Sequence, residues 1–344
     1  MLQSHYIYSC NREYNMAVTI KKSIIPIVLV VIFILWLLSI WWGWMPSAYN
    51  VKSRTQEVAT TSNVEMTPGY ATTTALIDVT TWLVDKPGGF LSNDVTPPGL
   101  IMDNMPAFEY GVLEQVRDLA LVMRLDFSRS QSQSTGDKDL ETAQNKMNIS
   151  HTNWMLPSAE KEYKLAIKSF KRYRSRLVAE DETEAQFYTR ADNLSDWLRE
   201  IEKRLGSISQ NLSASVGNDV FDTNLAGDPT AKQSTRSASE VQIKTSWFKI
   251  DDVFYESRGS TWAILHFLKA VEIDFADVLE KKNAQVSLKQ IIRDLEATQE
   301  AVWSPMVLNG SGFGFLANHS LVMANYVSRA NAALIDLRRL LEQG

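Results

Sequence analysis

The sequence contains a single cysteine, Cys10, in 344 residues. One thiol cannot close an intramolecular disulfide, so a disulfide scaffold, a cysteine-based zinc site and a CxxC redox centre are all excluded. Histidine is also scarce. The four histidines are His5, His151, His266 and His319, with no HExxH or HxH pairing. Because a zinc site needs three or four converging ligands, we predict no metal centre and interpret His266, which lies in an apolar helix, as structural.

A basic excess is missing as well. The chain has 35 Lys and Arg residues against 40 Asp and Glu residues, a formal charge of −5. Nucleic-acid-binding proteins normally carry a strong positive excess that meets the phosphates, so we exclude nucleic acid as a partner. The apolar share of 45% and the charged share of 22% are typical of a globular protein. A chain of this length is expected to form roughly two domains.

An uncharged stretch of 21 residues extends from Ile24 to Trp44. At about 1.5 Å per residue a helix of this length spans roughly 31 Å, which matches a bilayer core of about 30 Å. Tryptophans crowd its C-terminal half, and their rings favour the headgroup layer. A cleavable signal peptide is the alternative, but its apolar stretch is shorter, about 7–15 residues. We therefore predict an uncleaved transmembrane helix over residues 24–44, in contact with the lipid bilayer.

The charges that flank this stretch predict its orientation. Lys21 and Lys22 lie immediately before it, whereas the next basic residues follow it at a greater distance. The positive-inside rule then places residues 1–23 in the cytoplasm and the rest of the chain outside the bacterial inner membrane, in the periplasm. Met16 precedes a sequence typical of a bacterial membrane protein, so translation starting at Met1 and translation starting at Met16 both stay open.

The remainder of the chain is dominated by helical periodicity, with little of the alternation that is typical of strands. The most regular stretch has apolar residues at alternating steps of four and three: Leu194, Leu198, Ile201, Leu205, Ile208 and Leu212. We predict an all-α protein, in which a transmembrane helix is followed by a multi-helix bundle of long antiparallel helices. The predicted segments are a stalk (45–70), a helical lobe (71–216), a polar linker (217–239) and a second helical lobe (240–344).

Five stretches carry a resemblance to a known family. They are KPGGFLSNDVTPPG (86–99), EYGVLEQVRDLALVMRLDFSRSQSQS (109–134), FYTRADNLSDWL (187–198), WFKIDDVFYESRGSTWAILHFLKAVEIDFADVLE (247–280) and SPMVLNGSGFGFLANHSLVMANYVSRANAALIDL (304–337). The chain resembles domain of unknown function 2333, a membrane-anchored family of Gram-negative bacteria. The resemblance implies an inner-membrane anchor and a periplasmic helical domain. It transfers no activity and no catalytic residue.

Two short motifs could carry chemistry, but each lacks its context. Ser-x-x-Lys occurs at Ser158–Lys161 and at Ser246–Lys249, without the sheet and the SDN-like element of penicillin-binding enzymes. The loop 309–315, NGSGFGF, lacks the Gly-Lys-Ser/Thr of a phosphate-binding loop and the third glycine of a dinucleotide-binding motif. We therefore predict no catalytic residue and no cofactor.

Carboxylates cluster in two places along the chain. They are Asp251, Asp252 and Glu256, and then Glu272, Asp274, Asp277 and Glu280. Acid–base catalysis requires two carboxylates that face one cleft, whereas spacing along a helix shows only shared faces. We interpret these groups as solvated surface charges. A cell-wall hydrolase that uses carboxylates not identifiable from the sequence is the alternative function.

Two sets of residues are candidates for contact with a partner. Phe90, Phe313 and Phe315 lie beside glycines in irregular segments, where binding residues often gather. Core packing is the alternative for these rings. Lys161, Lys164, Lys168 and Lys171 share one predicted helix face, which could contact anionic lipid or an acidic partner. An ordinary solvated face is the alternative. We predict a non-catalytic envelope scaffold that binds a partner protein or a second copy of itself.

Overall fold

The computed structural model of the protein describes residues 25–130, 136–179, 185–221, 240–304, 306–311 and 315–343. Within these ranges the helices that follow are connected mainly by short loops. They are α1 (Ile25–Trp42), α2 (Val51–Ser62), α3 (Tyr70–Asp85), α4 (Asn104–Val122, continued by a π-helical turn Met123–Phe127), α5 (Lys138–Met147), α6 (Ala159–Leu177), α7 (Ala191–Ser213), α8 (Ile250–Asp274), α9 (Ala276–Lys281), α10 (Gln285–Ala297) and α11 (His319–Glu342). The predicted all-α bundle behind an N-terminal apolar helix is confirmed.

A small hairpin is the exception to the helical architecture. Strand β1 (Asn218–Phe221) pairs antiparallel with β2 (Glu240–Ile243). The two strands border the predicted linker 217–239, of which residues 222–239 lie outside the described residues.

Local sequence explains where several helices begin. The side chain of Asn50 accepts a hydrogen bond from the Ser53 amide at the start of α2, and Asn318 does the same for Leu321 in α11. Asp137 accepts from two amides in the first turn of α5. Each side chain satisfies N–H groups that have no partner within the helix.

The heptad-like stretch of α7 packs within the chain. Its apolar side chains face α11, whose own inward positions follow the same three–four spacing, and both rows are almost wholly buried. The α11 residues of this seam are Met323, Val327, Ala330, Leu334, Leu337 and Leu341. Neighbouring rows of this kind are expected to interlock as in a coiled coil.

The closest helix pair, α4 and α8, crosses at two glycines. A Cβ atom at Gly111 would lie 2.0 Å from the Glu256 carbonyl oxygen, and one at Gly259 would lie 2.1 Å from the Phe108 carbonyl oxygen. The backbones therefore approach as closely as they do because neither position has a side chain.

The helices of both predicted lobes share one core. Helices α4 and α8, and likewise α7 and α11, pack together across the predicted linker, and one cluster of buried apolar residues includes all four. The described residues therefore do not divide into two separate cores at residues 217–239. The predicted stalk also differs, because α2 packs on α3 and α8 and buries Val51, Thr55 and Ala59. The polar, Thr-rich composition of this segment conceals that narrow buried stripe.

The antiparallel helices give the bundle two ends. The end we call anchor-proximal carries the described residues of the loops 86–103, 148–158, 214–249 and 298–318. Asn93 donates to the Asn153 carbonyl across 2.9 Å, and Asn309 donates to the Ser215 carbonyl across 2.9 Å, which joins these loops in pairs. The opposite end, called distal, is closed by the contacts of Phe127 with Phe187 and Phe275.

Candidate functional site at the anchor-proximal end

The end of α1 rests on the loop 86–103. Gly88 has a positive φ of 85°, and a Cβ atom there would lie 2.6 Å from the Trp42 ring. A Cβ atom at Gly43 would lie 3.6 Å from the Met102 Cε. The glycine-rich sequence of this loop therefore permits a direct contact between the apolar helix and the bundle.

The chain that leaves α1 is held in place by α8. The Trp262 indole N–H donates to the Ser47 carbonyl across 3.3 Å, and the Tyr49 amide donates to His266 Nε2 across 3.1 Å. The rings of Tyr49 and His266 stack with their centroids 4.2 Å apart. The connection between α1 and the bundle is thus fixed by hydrogen bonds and ring contacts.

His266 is a structural histidine. Its Nε2 accepts from the Tyr49 amide, so the proton lies on Nδ1, which donates to the Trp262 carbonyl across 2.6 Å. Burial lowers the pKa of His266 to about 4, although the hydrogen bond to Trp262 opposes that shift. Both ring nitrogens are occupied within the chain, and no cluster of three or more metal-binding side chains occurs among the described residues.

A groove of about 510 Å³ opens beside this connection. Trp82 and Trp262 line one part of it, and the side chains of Arg54, Glu57 and Asp78 line another. Arg54 donates to Asp78 across 3.0 Å and to Glu57 across 3.1 Å. The two carboxylates of the groove are therefore both bound to one guanidinium, which suits a binding surface of aromatic faces and fixed charges.

A buried ion pair organises the loop 86–93. Lys86 Nζ lies 2.6 Å from Glu109 Oε1, and both side chains are almost completely buried. Lys86 also donates to the Gly89 carbonyl, while Glu109 accepts from the Leu91 and Ser92 amides at 2.9 and 2.8 Å. Burial raises the pKa of the Glu109 carboxyl, and the attraction of Lys86 opposes that shift. Sequence analysis missed this pair, because no local pattern connects Lys86 to a glutamate on the next long helix.

The three phenylalanines do not form one surface. Phe90 is buried and contacts Tyr163 edge-to-face, with centroids 5.4 Å apart. The expectation that Phe90 faces a partner is therefore wrong, because the Lys86–Glu109 pair turns this loop inward. Phe315 is fully exposed at the anchor-proximal end. Phe313 lies outside the described residues.

The four lysines of α6 do share one exposed face, opposite the buried Tyr163, Ile167 and Phe170. Lys164 lies 3.2 Å from Asp85 in an exposed ion pair. A shallow surface groove of about 400 Å³ is lined by Lys161, Lys164 and Lys168. The geometry is compatible with a contact to an acidic partner, and it leaves a solvated face equally open.

The carboxylates of the two sequence clusters have separate surroundings. Asp274 accepts from the Ala71 and Thr72 amides at 3.3 and 2.7 Å, at the first turn of α3. Burial raises its pKa to about 6, and those hydrogen bonds oppose the shift. Burial also raises the pKa of Glu256, with a smaller contribution from the charge of Glu114. Asp274 is therefore a buried helix cap, contrary to the expectation of a solvated charge.

A family model described as "uncharacterized protein conserved in bacteria (DUF2333)" matches residues 14–344. The chain belongs to this family. The resemblance noted in the sequence is confirmed in that respect, and the match covers α1 and every element of the bundle. No curated protein and no solved structure matches the chain. Membership in DUF2333 identifies a bacterial protein and assigns it no activity.

Proposed function

We propose that the protein is a non-catalytic scaffold of the bacterial cell envelope, tethered to the inner membrane by α1. The observation that supports this proposal is the state of α1 itself. Its 18-residue apolar window, Ile25–Trp42, is long enough to cross a bilayer, and none of it is buried in the bundle. An exposed helix of this hydropathy is unfavourable in water, and it is favourable in a lipid core.

The tether is continuous with the folded domain, and this supports a scaffold. The hydrogen bonds to Ser47 and Tyr49 hold the chain directly after α1, and α2 then packs on the bundle. A domain connected in this way keeps a defined orientation to its anchor. Lys21 and Lys22 before α1 favour a cytoplasmic N-terminus and a periplasmic bundle.

Hydrolysis by paired carboxylates is the weaker alternative. Glu57 and Asp78 line the same groove, but Arg54 binds both of them. A glycoside hydrolase needs one carboxyl group that donates a proton and another that acts on the opposite side of the substrate bond. Two carboxylates that share one guanidinium favour a binding role. The groove and the lysine face of α6 are the surfaces through which the scaffold would bind an envelope protein or a second copy.

The proposed topology predicts opposite results for two fusions to the C-terminus. Alkaline phosphatase fused after Gly344 should be active, because it folds with disulfides in the periplasm. Green fluorescent protein at the same position should be dark. Active phosphatase released into the soluble periplasmic fraction would show that α1 is cleaved as a signal sequence. A bright fluorescent fusion would reverse the orientation.

The scaffold role predicts that a partner lies against α6. A photo-crosslinking amino acid in place of Lys168, in the full chain in living bacteria, should give a discrete adduct. The matched control is the same substitution at Lys289, which is an exposed lysine on α10. Adducts of equal yield from both positions, or none from Lys168, would contradict a specific partner at this face.

A further inference from the structure

Exposed apolar side chains are concentrated at one end of the bundle. In the loops of the anchor-proximal end, Ile101 is 70% exposed, Leu156 is 89% exposed and Trp303 is 97% exposed. Trp247, Phe248 and Phe315 are exposed at the same end. The described residues of the distal loops contain few comparable side chains, and none of them is aromatic. Large exposed apolar groups that gather on one surface indicate an interaction site.

These side chains come from loops that are distant in sequence and adjacent in space. The loops that contain Ile101 and Leu156 are joined by the hydrogen bond between Asn93 and the Asn153 carbonyl. Trp247, Phe248 and Met306 line one small cavity of about 180 Å³ together with Asp103, which ends the loop that contains Ile101. The apolar groups therefore belong to one continuous end of the bundle.

The same end is where α1 emerges. Trp42 contacts the loop at Gly88, and Met102, next to Ile101, lies against the last turn of α1. Because α1 is unburied along its apolar window, it extends away from the bundle at this end. A bilayer that surrounded α1 would come directly opposite the exposed loops.

We propose that the anchor-proximal end of the bundle lies on the lipid surface, with the tips of its loops inserted into the interfacial layer around α1. This inference rests on the proposed membrane tether. Tryptophan and other amphipathic aromatic groups favour that layer. Apolar tips that enter it, together with nearby lysines such as Lys161 and Lys164, match the composition of segments that bind a membrane surface. The domain is thus held flat against the membrane by a second contact beside the helix.

Depth-dependent quenching in the full-length protein tests this contact. In a Cys10→Ser background, the single substitutions Met155→Cys and Trp303→Cys would carry an environment-sensitive fluorophore. Val286→Cys on α10, near the distal end, is the matched exposed control, and Ile34→Cys in α1 reports insertion of the tether. Each protein would be reconstituted in vesicles of phosphatidylethanolamine and phosphatidylglycerol that contain a lipid with a nitroxide near the headgroup.

The proposal predicts quenching at Met155→Cys and Trp303→Cys several-fold stronger than at Val286→Cys, with a blue-shifted emission. Quenching at Ile34→Cys without quenching at the two loops would overturn this inference and leave the tether standing. A blue shift at the loops without nitroxide quenching would assign the surface to a second copy, and would equally overturn the proposal. Quenching at the loops without quenching at Ile34→Cys would support the lipid contact and contradict the tether.

Discussion

Replacing Lys86 with methionine should lower the free energy of unfolding by about 3–5 kcal/mol, because the variant leaves the buried Glu109 carboxylate without its cation. The two side chains form an ion pair at 2.6 Å and are nearly inaccessible to solvent. Denaturant unfolding of the full-length protein in detergent, followed by circular dichroism at a helical wavelength, measures the loss.

Two variants control this experiment. Lys164→Met removes an exposed ion pair with Asp85 and should change stability by less than about 1 kcal/mol. The double variant Lys86→Met/Glu109→Gln should recover part of the loss, because it removes the unpaired charge and keeps an oxygen that accepts from Leu91 and Ser92. If Lys86→Met behaves like Lys164→Met, the pair is not buried as described.

Replacing Gly259 with alanine should destabilise the protein by about 3 kcal/mol, through overpacking at the crossing of α4 and α8. The new Cβ would lie 2.1 Å from the Phe108 carbonyl oxygen and 3.1 Å from the Phe108 Cα. Both of these are backbone atoms, so no side-chain rotation can relieve the contact. The two helices would have to separate, and the core packed around them would open. Thermal and denaturant unfolding of the full-length variant measure the effect.

Gly206→Ala is the matched control on another helix. Its Cβ would lie in ordinary contact, 3.8 Å from the Asn331 side-chain nitrogen. Alanine has the higher helix propensity, so this variant should be neutral or more stable by up to about 1 kcal/mol. Equal losses in both variants would show that glycine itself is not what the α4–α8 crossing requires.

The Phe loops show where local sequence is insufficient. Phe90 and Phe315 both follow a glycine or lie close to one, and their sequence surroundings are alike. The structure buries Phe90 against Tyr163 and leaves Phe315 in solvent. Their different positions depend on a buried ion pair in one loop, and that pair joins residues on separate elements.

The sequence by itself determined the helical class, the apolar helix long enough to cross a membrane, and the inward faces of α6, α7 and α11. These properties follow from local periodicity and length, which are set by residues within a few turns of one another. The tertiary structure alone decided the single core, the Lys86–Glu109 pair, the cap that Asp274 provides for α3, and the collection of apolar loops around α1. Each of these depends on side chains that are far apart in the chain, as in the bond between Tyr49 and His266, 217 residues away. Such contacts arise only when antiparallel helices bring distant loops to the same end, and no local pattern encodes that.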